Sequence, residues 1–144
     1  MQLRPATFDD ADFLLRLRND IGTRTQSLHE DIVDAAHHHA YLASHIGAEN
    51  EHLYIALDDD IAVGTCRSDI GDGATELSWT IAPEHRGHGY GRRMLAALLA
   101  ATPGPVSAII KEGNLASRRM VEKAGFTLVS DRADLCTYRL ADRG

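Results

Sequence analysis

Between Trp79 and Arg93 the chain reads Trp-Thr-Ile-Ala-Pro-Glu-His-Arg-Gly-His-Gly-Tyr-Gly-Arg-Arg, and no other stretch constrains the fold so tightly. Residues 75–82 have the β-branched and aromatic content of a strand, which Pro83 ends because proline has no ladder N–H to give. Gly87, Gly89 and Gly91 then make a turn whose backbone can close on a ligand. A helix follows over 89–101, with Met94, Leu95, Leu98 and Leu99 as its apolar face. This order brings the unpaired amides and the positive pole of a helix start to the glycine turn. Arg86, Arg92 and Arg93 add formal charge, opposed only by Glu84. On physical grounds this is a pyrophosphate site. It is not a Walker loop, because Arg92 and Arg93 stand where Lys and Ser or Thr are needed. Gly87-His88-Gly89-Tyr90-Gly91 also lacks the spacing of a dinucleotide fingerprint.

The flanking sequence alternates helical and strand periods. Gln2 to Ala6 is extended, and Thr7 caps a helix from about Asp9 whose stripe is Phe13, Leu14, Leu17 and Ile21. Residues 22–29 show no period and are expected as a loop. A second helix is expected over 30–46, with Ile32, Val33, Ala36, Tyr41 and Leu42 as its apolar positions. Strands are expected over 52–57 and 61–68, joined at Asp58-Asp59-Asp60, and over 75–82 after Gly71-Asp72-Gly73. Thr102-Pro103-Gly104-Pro105 breaks the glycine-turn helix, and 106–111 is the next strand. A helix over 114–123, closed by Gly125, and strands over 126–129 and 135–140 complete the chain. The order β-α-α-β-β-β-α-β-α-β-β predicts an α/β fold with a mixed central sheet and helices on both faces.

The 144 residues suit one domain spanning 1–144, with no linker-like segment. A hydrophobic share of 44% with 25% charged residues excludes a disordered or fibrous chain. Fifteen Lys and Arg against 21 Asp and Glu give a net charge of -6, which argues against a nucleic-acid partner. No apolar run approaches the roughly 20 residues of a membrane span, and Met1 to Pro5 holds no signal core. No membrane partner is therefore expected. Cys66 and Cys136 lie outside any metal spacing and read as separate thiols in a reducing cytoplasm, the expected location. Neighbouring residues of His37-His38-His39 would point about 100° apart on a helix and could not converge on one ion, so no metal is expected.

Two motifs carry a resemblance. Arg86-x-x-Gly89-x-Gly91, shortly after Pro83-Glu84, resembles motif A of the GCN5-related N-acetyltransferase (GNAT) superfamily. Asn114 to Phe126 looks like motif B, N-x-x-S-x-x-x-x-E-K-x-G-F, with a strand between the two. By its own composition that second segment is also a capped helix, with Asn114 as cap, Gly125 beyond its end, and Met120, Val121 and Ala124 inward. The likeness covers the whole chain in element order and is specific from Leu77 to Phe126.

The resemblance implies the GNAT (acyl-CoA N-acyltransferase) fold, with a splayed parallel strand pair ending at Ile81 and Lys111, and acetyl-CoA as acyl donor between them. It implies backbone contacts to the pantetheine arm from Trp79, Thr80 and Ile81, with the Ile81 N–H on the thioester carbonyl. It places the pyrophosphate on Arg86, Gly87, His88, Gly89, Tyr90, Gly91 and Arg92, and a further donor contact on Asn114. Arg118 or Arg119 is implied for the 3′-phosphate. Many members carry a tyrosine acid seven residues after that asparagine, where this chain has Val121; Ser117 is the substitute. The acceptor amine must lose a proton, for which Glu76 is the candidate base and His85 a weaker one. Neither cysteine lies in the motifs, so direct attack in a ternary complex is expected.

Leu17-Arg18-Asn19-Asp20, Arg24, Ser27, Tyr41 and Gly64 to Asp69 resemble acetyltransferases that modify nucleotide-linked amino sugars. That likeness implies a small-molecule amine acceptor, with Arg18, Arg24 and Arg67 toward its anionic groups. The ribosomal-protein N-terminal acetyltransferases share the Asn114 to Phe126 style and stand as the alternative, and a non-catalytic acetyl-CoA-binding module as a third. A homodimer is compatible with each.

Overall fold

The computed structural model describes residues 1–141. Its strands are β1 (Gln2–Pro5), β2 (Glu51–Asp58), β3 (Ile61–Ile70), β4 (Thr75–Ile81), β5 (Val106–Lys111), β6 (Thr127–Arg132) and β7 (Leu135–Leu140). Its α-helices are α1 (Ala11–Asn19), α2 (Ile21–Gln26), α3 (Ala35–His45), α4 (Tyr90–Ala101) and α5 (Leu115–Lys123). The strands form one seven-stranded sheet in the order β1-β2-β3-β4-β5-β7-β6. Every neighbouring pair is antiparallel except β4 with β5.

Local chemistry explains the antiparallel pairs. Asp59 and Asp60, at φ 48° and 65°, make a two-residue turn between β2 and β3; Ala133 and Asp134, at 53° and 62°, do the same between β6 and β7. Left-handed pairs match the twist of the strands they join, and aspartate tolerates that conformation. Apolar residues then divide between two cores. Leu77, Met94, Leu98, Val106 and Val121 bury the face under α4 and α5; Ala6, Leu14, Leu42 and Ile55 bury the face under α1 and α3.

The helical expectations need correction near the N-terminus. Residues 22–29 are not all loop, because Ile21–Gln26 is a helix capped by Asp20, whose Oδ2 accepts from the Thr23 N–H at 3.1 Å. It is too short and too exposed to show a hydrophobic period. Ile21, expected on the buried stripe of α1, is 74% exposed. The next helix starts at Ala35 rather than at residue 30, with Asp34 as its cap. Ile32 is exposed, and side chains pin this stretch in place of helical bonds: Asn19 exchanges hydrogen bonds with the Val33 backbone at 2.7 and 2.8 Å. Ala124, expected inward, is exposed.

The feature that positions the site is a failure of pairing. β4 and β5 are in register at Thr75 with Val106 and Glu76 with Ser107, and then part. β4 remains paired with β3 as far as Ile81 opposite Gly64, and β5 with β7 as far as Lys111 opposite Leu135. Each strand thus keeps one partner and turns a free edge to the gap. Gly64 supports this course, because a Cβ there would collide with the Thr80 carbonyl.

Candidate active site

Backbone direction fills the gap with donors. The Thr75 N–H reaches across to the Pro105 carbonyl at 3.0 Å, and the Ala82 N–H turns the other way to the Val63 carbonyl at 2.8 Å. Strand residues alternate, so the N–H groups of Leu77, Trp79 and Ile81 all point to the β5 side; that of Leu77 belongs to the last paired step of β4 with β5, opposite Ser107, and those of Trp79 and Ile81 face the open gap. Buried backbone donors need partners. An extended molecule bearing amide and carbonyl groups would supply them. Thr80, between these, directs its own N–H to β3.

At the mouth of the gap the chain enters the glycine turn. Gly87 and Gly89 both hold φ of +80°, a conformation glycine adopts without cost, and no atom lies within 4 Å of where a Cβ would stand. Gly89 is also the cap residue of α4, so the first-turn amides of Tyr90, Gly91 and Arg92 point outward with no helical acceptor. Gly91 packs close to α5: a Cβ there would lie 3.3 Å from the Met120 sulfur. Arg92 is exposed and makes no ion pair among the described residues. The turn and its arginine fit an anion such as a pyrophosphate.

Several side chains of this segment point elsewhere. The Tyr90 hydroxyl donates to Asp58 at 2.9 Å, and Arg93 pairs with the same carboxylate at 3.0 Å, anchoring α4 to the β2–β3 hairpin. His88 Nδ1 lies 3.2 Å from the His85 carbonyl. Arg86 turns to Ile81, Asp20 and Thr23. Glu84 pairs with Arg16, whose guanidinium holds its carboxyl down at about 2. On the far side Arg118 bonds Tyr138 and the Glu112 carbonyl, both at 3.0 Å, while Arg119 is exposed.

Ser117 comes next to Trp79. The indole Nε1 donates to Ser117 Oγ at 3.3 Å, linking β4 to α5 over the gap. Asn114 caps α5, its Oδ1 accepting from the Ser117 N–H at 3.3 Å. Val121 is wholly buried in the core, turned away from both. Glu76 is not beside Ile81. It sits at the closed end of the gap, and five residues at about 3.3 Å each put it roughly 16 Å away along the strand. It shares a sheet face with Asp69, its direct partner on β3.

The three arginines expected to meet an anionic acceptor each bond within the protein, but among the described residues only Arg67 is ion-paired and one terminal nitrogen of Arg18 has no partner. Arg18 donates to the His29 carbonyl at 2.7 Å and Arg24 to the Glu30 carbonyl at 2.9 Å. Arg67 contacts Asp69, Glu51 and the Tyr41 hydroxyl. The histidine run disperses: His37 faces Asp34, buried His38 stacks on Tyr41, and His39 lies by Phe8. Among the described residues no cluster could hold a metal ion. Gly22, pressed against Arg86, is a residue of this region that the sequence does not single out, and Gly64 stands there only within an acceptor-side resemblance, because only contact reveals why a side chain is forbidden at either.

No curated protein matches the chain. Solved structures do. The chain superposes on a spermidine N-acetyltransferase from Vibrio cholerae, in complex with CoA and spermine, with a TM-score of 0.89 at 16% identity, covering 97% of this chain and 94% of that one. A ribosomal-protein-alanine N-acetyltransferase from Brucella melitensis gives a TM-score of 0.80 at 24% identity, covering 99% and 100%. A Salmonella typhimurium protein, yncA, with its cofactor acetyl-CoA gives 0.80 at 20%, covering 100% and 95%. These likenesses show the fold. The family follows from a separate match, in which the model described as "Acetyltransferase (GNAT) domain" covers residues 1–127. With a strand pair that parts as this fold requires and a family match over most of its length, the chain belongs to the GNAT acetyltransferases and takes its acyl group from acetyl-CoA.

Proposed function

We propose that the protein transfers acetyl from acetyl-CoA to the primary amine of a small molecule by direct attack in a ternary complex. The carrying observation is the pair of gap-facing amides at Trp79 and Ile81, beyond the last paired step of β4 with β5, which lead to the open glycine turn. In this reading Trp79 and Ile81 hold the pantetheine arm, Gly87 to Arg92 hold the pyrophosphate, and the Ile81 N–H polarises the thioester carbonyl. Ser117 gives a proton to the departing thiolate. Trp79 is only a donor, so the bond it makes to Ser117 leaves the hydroxyl hydrogen free. Little help is needed, because a thiol pKa near 8.5 makes a good leaving group. Burial raises the Cys66 thiol to about 12, which removes it as an acyl carrier. Glu76 receives the amine's proton through water, given its distance from Ile81.

A small cationic amine fits better than a nucleotide-linked sugar. The net charge of -6 favours a cationic acceptor, and Arg67 is ion-paired within the protein, although Arg18 and Arg24 bond only neutral carbonyls. Glu76, on the face that α3 covers, makes no ion pair among the described residues and attracts an ammonium group, whereas Asp69 opposite it is already paired with Arg67. A peptide N-terminus is the second reading. Ile21, Leu28 and Ile32, exposed on and after α2, offer apolar surface for the residues behind its amine.

The test begins with calorimetric titration of acetyl-CoA, with dephospho-CoA for comparison. Micromolar binding is expected; none, by folded protein free of copurified CoA, refutes the reading. Thiol release then ranks diamines, amino sugars on nucleotides and N-terminal peptides as acceptors. Faster turnover with the nucleotide sugars than with any diamine or peptide would reverse the preference.

A further inference from the structure

We infer that Arg86 is a positioning residue: it ties helix α2 to the end of β4 and so fixes the Ile81 backbone, instead of holding the donor's phosphates. The inference rests on the proposal that the Ile81 N–H meets the thioester.

Three bonds define the tie. Arg86 Nε donates to the Ile81 carbonyl at 3.1 Å, and one terminal nitrogen donates to Asp20 at 2.9 Å and to the Thr23 hydroxyl at 3.1 Å. Asp20 serves twice, since the same oxygen caps α2. The fit depends on Gly22, where a Cβ would lie 2.5 Å from an Arg86 nitrogen. Glycine there admits the guanidinium flat against the helix start. At the other side, Lys111 donates to the Thr25 carbonyl at 2.7 Å and lies 3.3 Å from Glu30. α2 therefore spans the mouth of the gap, bound to the end of β4 through Arg86 and to the end of β5 through Lys111.

The consequence for Ile81 is specific. Its carbonyl and its N–H share one side of the strand, the gap side. Arg86 satisfies the carbonyl, which leaves the N–H as the free backbone group of that residue. A tether at the carbonyl restricts rotation of the strand end, so the donor keeps its direction. The ion pair is part-exposed, with Asp20 17% and Arg86 39% accessible, so its loss is read locally rather than in global stability.

The test uses Arg86→Gln, Arg86→Lys and Gly22→Ala in the full chain. Alanine is a good helix former, so the last displaces the guanidinium without unfolding α2 or changing charge. Hydrogen exchange read by mass spectrometry needs no substrate. Exchange in residues 20–27 and 79–82 is expected to rise about tenfold in Arg86→Gln and Gly22→Ala. Calorimetric affinity for acetyl-CoA should stay within about twofold, while kcat/KM for the best amine of the panel falls about tenfold or more. Arg86→Lys should keep the charge without restoring protection, since one ammonium cannot hold three partners in that geometry. Unchanged exchange in both Arg86→Gln and Gly22→Ala overturns the inference. So does a tenfold loss of acetyl-CoA affinity in Arg86→Gln, which would return the residue to the phosphate site. Failure of the wild-type protein to bind acetyl-CoA is a different result: it strikes the proposed function and leaves the exchange measurement intact.

Discussion

Trp79 on β4 and Ser117 on α5 meet over the strand gap, the indole nitrogen 3.3 Å from the serine oxygen. They lie 38 positions apart in sequence, Trp79 on the strand that leads into the first motif and Ser117 inside the second. The bond orients the hydroxyl while leaving its hydrogen to give. Ser117→Ala should therefore lower turnover by about 10- to 100-fold, below the usual range for a general acid because the thiolate leaves readily. Acetyl-CoA affinity should change little. Thiol-release kinetics beside calorimetry check this; full turnover would remove Ser117 from the reaction.

Gly89→Val tests the phosphate turn. A β-branched residue at φ +80° is strained, and its side chain would enter the space that the turn leaves open. Acetyl-CoA affinity should fall at least about tenfold, with far-ultraviolet circular dichroism unchanged. Dephospho-CoA should lose affinity by a similar factor, because the pyrophosphate is common to both.

Gly64→Ala tests the support of β4. The added methyl meets the Thr80 carbonyl, a backbone atom that cannot swing aside. Denaturant unfolding should show a loss of about 1–3 kcal/mol, typical of overpacking. A neutral result would mean that β3 and β4 can separate locally without cost.

Both cysteines are buried, and burial holds the Cys66 thiol far above its ordinary range. At pH 8 the native protein should resist a thiol-specific reagent at Cys66, and unfolding should expose it. Cys66→Ala should retain direct acetyl transfer. Loss of transfer with the fold intact would point to a covalent intermediate.

Arg4 forks onto Asp10 with bonds of 2.7 and 2.8 Å, joining β1 to the start of α1. That pairing, with the Thr7 amide, holds the Asp10 carboxyl below its ordinary pKa against the opposing effect of burial. A lowered carboxylate stabilises the fold above its unfolded pKa, near 3.9, and the contribution fades as pH falls through the lower folded value. Asp10→Asn should cost about 1 kcal/mol at neutral pH after discounting for solvent around Arg4, and the deficit should shrink in acid. Urea titrations at several pH values measure both.

The sequence by itself determined the strand, glycine turn and helix from Trp79 to Arg93, because proline, glycine and apolar periodicity act over a few residues. It likewise determined the cap at Asn114 and the succession of strands along the chain, though not that β7 inserts between β5 and β6 in the sheet. The tertiary structure decided where the side chains of those motifs went. Arg86 and Tyr90 belong to a phosphate motif by sequence, yet one reaches α2 and the other Asp58. Glu76 lies on the right strand, but at its closed end, since where β4 leaves β5 depends on neighbours distant in sequence. α2 was hidden for the same reason: a six-residue helix has no period of its own, and bonds from Arg86 and Lys111 hold it over the gap. Local chemistry writes elements into a sequence, but the contacts that make a site form between residues far apart along the chain.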